Sequence, residues 1–177
     1  LLYVGNILKA KGVSTLINAT KHIGIRTYII GDGEDRAEFE KMKNEDSLDN
    51  IIFLGKKDKS EVIKYLTDAL LVIVPSEWYE NLPYSLVEAL LMAKPVLGAN
   101  IGGIPELIID GETGFLFEPG NVESLKQKLH LILSLPPKDL GKIGKMARDF
   151  IKEKISFDKY GSELSPLFAT LGLKLEK

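Results

Sequence analysis

The sequence of 177 residues contains no cysteine, one tryptophan and two histidines. Without cysteine the protein forms no disulfide and offers no thiolate to a metal, which suits a reducing compartment such as the cytoplasm. His22 and His130 lie within or at the ends of predicted helices, far from the motifs described below. We therefore expect surface or packing roles for both histidines, and no metal site.

The sequence also lacks a long apolar run and an excess of charge of one sign. No hydrophobic stretch approaches the roughly 18 residues that a membrane-spanning helix needs. The formal net charge is −2, which argues against a nucleic-acid partner. The composition, 45% hydrophobic and 27% charged, is typical of a globular domain.

Short apolar runs alternate with helical patterns along most of the chain. Strands are predicted at residues 1–4, 27–30, 51–54, 70–74, 95–97 and 114–117, and the helices between them at 14–22, 34–43, 59–66 and 84–93. This alternation predicts right-handed βαβ units. The expected fold class is α/β, a doubly wound, Rossmann-like parallel sheet that binds ligands beyond the carboxyl ends of its strands.

The chain begins directly on the first strand-like run, without an initiating methionine. We therefore expect it to be part of a longer protein whose missing portion is N-terminal. A processed chain that is complete in itself is the alternative. The length suits one domain with a full core.

The loop and helix after the fourth predicted strand are the most informative part of the sequence. The helix is expected to begin with Asn81 or Leu82 as its N-cap and Pro83 in its first position. It is apolar nearly all round, which predicts burial. Ser85 and Glu88 nevertheless share one face, and a buried carboxylate needs a partner. Because the first N–H groups of a helix attract anions such as phosphate, this end predicts a ligand-filled cleft.

A glycine-containing turn follows the first predicted strand. Gly5 and Gly12 enclose Lys11, and Ser14 is the expected cap of the next helix. Glycine lets backbone approach a ligand, and lysine can meet a phosphate as a point charge. A plain turn with a solvated lysine explains the same residues.

A second such turn, Gly31-Asp32-Gly33, follows the second predicted strand. Gly-x-Gly in this position is a weak nucleotide signal. Asp32 is equally well explained as the cap of the following helix.

Glu80 and Glu88 form a Glu-x7-Glu pair that is followed by Lys94-Pro95-Val96 and then by Gly102-Gly103-Ile104-Pro105-Glu106. This ordered set resembles the donor half of family 4 retaining glycosyltransferases. These are two-domain enzymes of GT-B architecture that use nucleotide sugars. The resemblance covers about residues 1–133.

The resemblance implies roles for individual residues. Glu80 matches the catalytic-site carboxylate that contacts the donor sugar, and Glu88 matches the one that binds the ribose hydroxyls. Lys11 matches the lysine that holds the donor diphosphate. Asn6 stands where the family has arginine, and Lys9 is a nearby substitute for that charge.

Further donor contacts are implied around the same edge. The Gly-x-Gly turn lines the nucleotide and the loop after the third strand flanks the base, while the helix N-terminus faces sugar and phosphate. The residues concerned are Gly5, Gly31, Lys57, Asn81, Leu82, Pro83, Tyr84 and Ser85. Gly102 and Gly103 are expected near the sugar or phosphates, or as a simple turn. Trp78 and Tyr79 are expected to stack on a sugar, to dock the missing domain or to pack their own loop.

The resemblance implies that residues 1–155 are the nucleotide-sugar-binding domain of a retaining hexosyltransferase. The donor would be of the GDP-mannose or UDP-hexose type and the acceptor a hydroxyl, with neither metal nor cofactor. Residues 156–177 would form a helix that crosses back to the missing N-terminal acceptor domain, without which activity is not expected. The setting would be polysaccharide or glycolipid synthesis in the cytoplasm, with membrane association through the missing half.

Two other functions fit the same residues. One is a non-catalytic, Rossmann-like domain that binds a nucleotide or sugar for regulation, which the replacement of arginine by Asn6 favours. The other is an enzyme similar to sugar-nucleotide epimerases of the same architecture.

Overall fold

A computed structural model describes residues 1–156 of the chain. Six parallel strands form one sheet in the order β3-β2-β1-β4-β5-β6. The strands are β1 (Leu2–Val4), β2 (Thr27–Ile30), β3 (Ile51–Gly55), β4 (Val72–Val74), β5 (Val96–Ala99) and β6 (Phe115–Phe117). All six predicted strands and the doubly wound order are confirmed. The predicted C-terminal helix lies outside the described residues.

Seven α-helices are present in the described part of the chain. They are α1 (Val13–Thr20), α2 (Arg36–Glu45), α3 (Lys59–Asp68), α4 (Tyr84–Leu91), α5 (Ile104–Leu107), α6 (Val122–Ser134) and α7 (Pro137–Lys154). A short 3-10 helix, Lys9–Lys11, precedes α1. Within residues 1–156 no helix is both long and apolar enough to cross a membrane.

The helices cover the sheet on both faces. On one face α1, α2 and α6 bury Leu16, Phe39 and Leu129 against the strands. On the other face α4 and α7 pack together through Leu90 and Ile151. Each large apolar side chain buried in this way contributes about 1.5–3 kcal/mol to folding. These two layers hold the strand ends in place for the loops that follow.

The helix starts differ from the predictions where tertiary contacts decide them. Gly12, rather than Ser14, is the N-cap of α1, and its φ of 69° is left-handed. A Cβ at Gly12 would lie 1.8 Å from the carbonyl oxygen of Pro75, so only glycine fits. Asp35 and not Asp32 occupies the N-cap position of α2, and Asn121 caps α6 by accepting the N–H of Ser124.

Helix α4 begins at Tyr84, where the predicted range 84–93 begins, but Pro83 precedes the helix and is not its first residue, and the helix is buried on one side only. Pro83 is its N-cap, in an extended conformation, and its carbonyl accepts the N–H groups of Leu86 and Val87. Neither Asn81 nor Leu82 is the cap. The side facing the sheet is buried, but the side chain of Tyr84 is 79% exposed. The prediction of burial all round was therefore wrong, because one flank of α4 borders a cleft.

Candidate functional site

A cleft of about 450 Å³ lies at the carboxyl ends of β1 and β4. These neighbouring strands lead their helices to opposite sides, so the strand order reverses here, where open α/β sheets bind their ligands. Nine of the predicted site residues line the cleft. They are Gly5, Asn6, Lys11, Glu80, Leu82, Pro83, Tyr84, Ser85 and Glu88.

The wall formed by the turn after β1 is fixed by Tyr3. Its buried hydroxyl donates a hydrogen bond of 2.6 Å to the carbonyl oxygen of Asn6. Burial raises the pKa of Tyr3, and the charge of Glu80 raises that pKa further. The hydroxyl therefore stays protonated in the physiological range and continues to hold the turn. The side chain of Asn6 is exposed at the rim.

An ion pair between Lys11 and Glu80 joins the two walls of the cleft. Lys11 Nζ donates to Glu80 Oε1 across a sequence separation of 69 residues. The hydroxyl of Ser76 donates to the same carboxylate oxygen at 2.7 Å. The side chains of Lys11 and Glu80 are 28% and 14% exposed, so the pair is only partly shielded from water. The sequence assigned these two residues to different parts of a donor and gave no sign of their contact.

The N-terminus of α4 forms the other wall. Pro83 provides no side-chain cap, and the backbone N–H groups of Tyr84 and Ser85 find no acceptor among residues 1–156. These donors and the positive end of the helix can therefore receive an anion. One turn further, the half-buried carboxylate of Glu88 faces the cleft and forms no hydrogen bond or ion pair with the described residues.

Three predicted site residues do not line this cleft. Lys57 forms an ion pair of 3.0 Å with Glu61 on α3. Gly31 packs against the first turn, since a Cβ there would lie 1.8 Å from the carbonyl oxygen of Gly5. The exposed side chain of Asn81 also lies outside the cleft. Their contacts with a donor remain predictions.

Gly102 and Gly103 support the loop after β4 from behind and do not line the cleft. The N–H of Gly103 donates to the carbonyl oxygen of Glu80 at 2.7 Å. A Cβ at Gly103 would lie 2.1 Å from the carbonyl oxygen of Asn81. The close approach of the two backbones therefore requires glycine and fixes the position of Glu80.

Sequence reasoning missed Tyr3 and Ser76 in the cleft wall. Their only signal is position, because each is a polar group close to the carboxyl end of a strand. Sequence reasoning also missed a contact between the loop after β4 and α1, in which the hydroxyl of Thr15 donates to Glu77 Oε1 at 2.6 Å. The N–H of Glu77 also donates to the carbonyl oxygen of Ala10 at 2.9 Å.

Two aromatic residues of the same loop lie at the surface. The side chains of Trp78 and Tyr79 are 65% and 78% exposed. Exposure of this extent argues against packing within their own loop as the role of these side chains. Stacking on a sugar and docking of another domain remain predictions.

A neighbouring groove of about 680 Å³ lies between the 3-10 helix and α2. Lys9 is on its wall and forms an ion pair of 2.7 Å with Glu38. Lys9 is therefore directed away from the cleft and does not replace the arginine expected at Asn6. Among residues 1–156 no three His, Asp or Glu side chains converge on a possible metal position.

Comparison with known proteins shows which family the chain belongs to. The model of the family described as glycosyl transferases group 1 matches residues 1–154. An uncharacterized glycosyltransferase of Methanocaldococcus jannaschii is 33% identical over 159 residues, which are 89% of this chain and 44% of that protein. The chain thus spans less than half the length of this relative.

Solved glycosyltransferase structures share the fold. Sucrose-phosphate synthase from Thermosynechococcus elongatus superposes with a TM-score of 0.84 at 26% identity, over 96% of this chain and 44% of that one. A variant of S. aureus TarM, solved with fondaparinux, alpha-GlcNAc-glycerol and UDP, superposes with a TM-score of 0.80 at 25% identity. That match covers 94% of this chain and 35% of TarM.

The sheet order and helices match those of the C-terminal domains of GT-B glycosyltransferases. The match of the family model extends from the first strand to the end of α7. On these grounds the chain belongs to the group 1 glycosyltransferases.

Proposed function

We propose that this chain is the donor-binding half of a family 4 retaining glycosyltransferase that transfers a hexose from a nucleoside-diphosphate sugar to a hydroxyl acceptor. The observation that carries the proposal is the convergence of Lys11, the open N-terminus of α4, Glu80 and Glu88 in one cleft. Each group fits one part of such a donor. The acceptor site and any general base would belong to the rest of the protein, so the isolated chain is expected to be inactive.

The diphosphate fits the wall formed by Lys11 and the N–H groups of Tyr84 and Ser85. Negative charge grows on the leaving nucleotide as the bond to the sugar breaks. Fixed donors aimed at that charge lower the barrier because they need little reorganisation during the reaction. The ion pair of Lys11 with Glu80 shows that the ammonium group already reaches into the cleft.

The two carboxylates fit the hydroxyl groups of the donor. Glu88 makes no bond within the described residues and can accept two vicinal ribose hydroxyls. Glu80, already held by Ser76 and Lys11, would position the sugar at the reaction centre. We assign Glu80 no nucleophilic role, because no distance to an anomeric carbon supports one.

The identity of the base and of the sugar belongs to the same proposal. TarM holds UDP, which supports a uridine nucleotide, and GDP-mannose is the second candidate. Cytoplasmic polysaccharide or glycolipid synthesis, with membrane association through another part of the protein, is the expected setting. Transfer without a metal is also expected, since Lys11 and the α4 N-terminus supply positive charge.

Calorimetric titration of the chain with GDP, UDP and ADP, first without metal and then with Mg²⁺, tests the proposal. One nucleotide should bind without metal, and Glu88→Ala should weaken that binding about tenfold. Glu153→Ala, which removes an exposed carboxylate on α7, is the control and should not change the affinity. Equal affinities of wild type and Glu88→Ala would remove the ribose assignment.

A regulatory domain that binds nucleotide without transferring sugar is the second candidate, and Asn6 favours it because one charge of the diphosphate clamp is absent. Transfer from the radiolabelled nucleotide sugar by the complete protein distinguishes the two. Activity that Glu80→Ala abolishes, while nucleotide binding persists, supports the enzyme. Binding with no transfer to any hydroxyl acceptor supports regulation.

A further inference from the structure

Two donors converge on a single oxygen of Glu80. The ammonium group of Lys11 and the hydroxyl of Ser76, the latter at 2.7 Å, both donate to Oε1. Oε2 receives no hydrogen bond from the part of the chain that the structure describes. A carboxylate has about four acceptor positions, two on each oxygen. The protein therefore occupies Oε1 and leaves Oε2 for a ligand in the cleft.

The two donors differ in how firmly they are held. Ser76 is 3% exposed and lies two residues after the end of β4. Its neighbours are fixed on both sides, because Pro75 packs against Gly12 and the N–H of Glu77 donates to the carbonyl oxygen of Ala10. Lys11 instead carries its charge on a flexible four-carbon side chain. Ser76 is thus the rigid donor and Lys11 the movable one.

Lys11 has a second role under the proposed function, since the donor diphosphate attracts the same ammonium group. When Lys11 turns to the phosphates, its bond to Glu80 weakens. Only the hydroxyl of Ser76 then remains to fix Oε1.

We propose that Ser76 is a positioning residue, which holds Glu80 Oε1 while Lys11 engages the diphosphate, so that Oε2 accepts a hydroxyl of the donor sugar. This inference rests on the proposed function, and it adds a residue that the sequence motifs do not contain. It predicts that loss of the Ser76 hydroxyl affects the sugar and not the nucleotide.

The test compares the affinity for the nucleoside diphosphate with that for the corresponding nucleotide sugar. Ser76→Ala should leave nucleoside diphosphate affinity within about twofold and reduce nucleotide sugar affinity about three- to tenfold, the size of one hydrogen bond. Ser76→Thr, which keeps the hydroxyl, should restore most of the loss. In a Glu80→Ala background, Ser76→Ala should cost nothing more, because the group it positions is gone.

Ser60→Ala is the matched control. The hydroxyl of Ser60 donates to Asp58 Oδ1 at 2.7 Å at the start of α3, so the change removes a comparable bond outside the cleft. It should alter neither affinity. In the complete protein, Ser76→Ala should lower kcat with a smaller change in KM for the acceptor.

Four results would overturn the inference. An equal loss of affinity for nucleotide and nucleotide sugar would assign Ser76 a structural role only. A loss of the same size in the Glu80→Ala background would show that Ser76 does not act through Glu80. If nucleotide binding depends on Glu88 but Ser76→Ala behaves as wild type, the inference fails while the proposed function stands. If wild type binds no nucleotide or nucleotide sugar, both fail.

Discussion

Helices α3 and α4 both begin at the carboxyl edge of the sheet, but their first turns are completed differently. At α3, the side chain of Asp58 accepts the N–H of Glu61 at 2.9 Å, and Glu61 accepts the N–H of Asp58 in return. At α4, Pro83 offers no such side chain. The protein supplies its own anion to one helix and leaves the other open.

At the same edge of the sheet, the N-terminus of α3 is closed by the protein's own side chains, whereas the N-terminus of α4 is open to a ligand. A carboxylate at the N-terminus of a helix stabilises it and also occupies the place of an external anion. The open end of α4 coincides with the cleft that contains Lys11 and Glu88. The uncapped end of α4 is therefore a candidate anion site because of the cleft side chains that surround it, and not because it is uncapped.

A substitution that displaces the loop before α4 should have the largest effect on stability and on nucleotide binding. Gly103→Ala places a Cβ against the carbonyl oxygen of Asn81 and should cost about 1–3 kcal/mol of unfolding free energy. Displacement of the loop should also weaken nucleotide binding at least about tenfold. Urea unfolding and calorimetry measure the two effects. Gly141→Ala, whose Cβ meets no atom within 4 Å in helix α7, should instead stabilise by about 0.5–1 kcal/mol.

Removal of the cation near α4 should have the next largest effect. Lys11→Ala should weaken nucleoside diphosphate binding about tenfold or more, since a hydrogen bond to a charged group is worth about 1.5–3 kcal/mol. Lys64→Ala, which removes an exposed cation of α3, should change the affinity less than about twofold. Equal effects of the two substitutions in calorimetric titration would contradict the assignment of the cleft.

Giving α4 a side-chain cap like that of α3 should have a moderate effect on nucleotide binding. Pro83→Asp should provide a carboxylate for the open N–H groups and weaken nucleoside diphosphate binding about three- to tenfold, without loss of thermal stability. Pro83→Ala controls for the loss of the proline ring. If the two variants bind the nucleotide equally well, the first turn of α4 does not contact the phosphates.

The smallest effect is expected at the N-terminus of α3, where a substitution of Asp58 should change only the stability of the fold. The N–H of Glu61 and then the hydroxyl of Ser60 hold the pKa of Asp58 below its ordinary value of 3.8. The stabilisation is therefore complete above pH 3.8 and is lost as the pH falls through the lower folded pKa. Asp58→Asn keeps a capping oxygen but does not titrate. Urea unfolding should show a small wild-type advantage that disappears in acid, with nucleotide binding unchanged.

The sequence predicted the fold well where the signals are local. The alternation of strands and helices is a pattern of neighbouring residues, and it is confirmed. The ion pair of Lys57 with Glu61 follows the i,i+4 rule and was available from spacing alone.

Long-range contacts decided the features that the sequence did not predict. Ser14 resembles a cap, but the left-handed Gly12 against Pro75 starts α1 earlier. The bond from Lys11 to Glu80 joins segments that are distant in the chain, and no local pattern encodes it. The nine predicted residues that line the cleft were located through motifs, but their mutual contacts required the packed sheet.

The central position of β1 has a consequence for the order in which the protein is assembled. Strand β1 pairs with β2 over three residues, but its register with β4 consists of Leu2 with Val72 alone. Contacts between distant segments form late, because a long loop must close first. During synthesis the β1–β2–β3 half can therefore form before β4 has left the ribosome. The cleft lies on the seam between the two paired strands that are farthest apart in the sequence, and a bound nucleotide would hold that seam together.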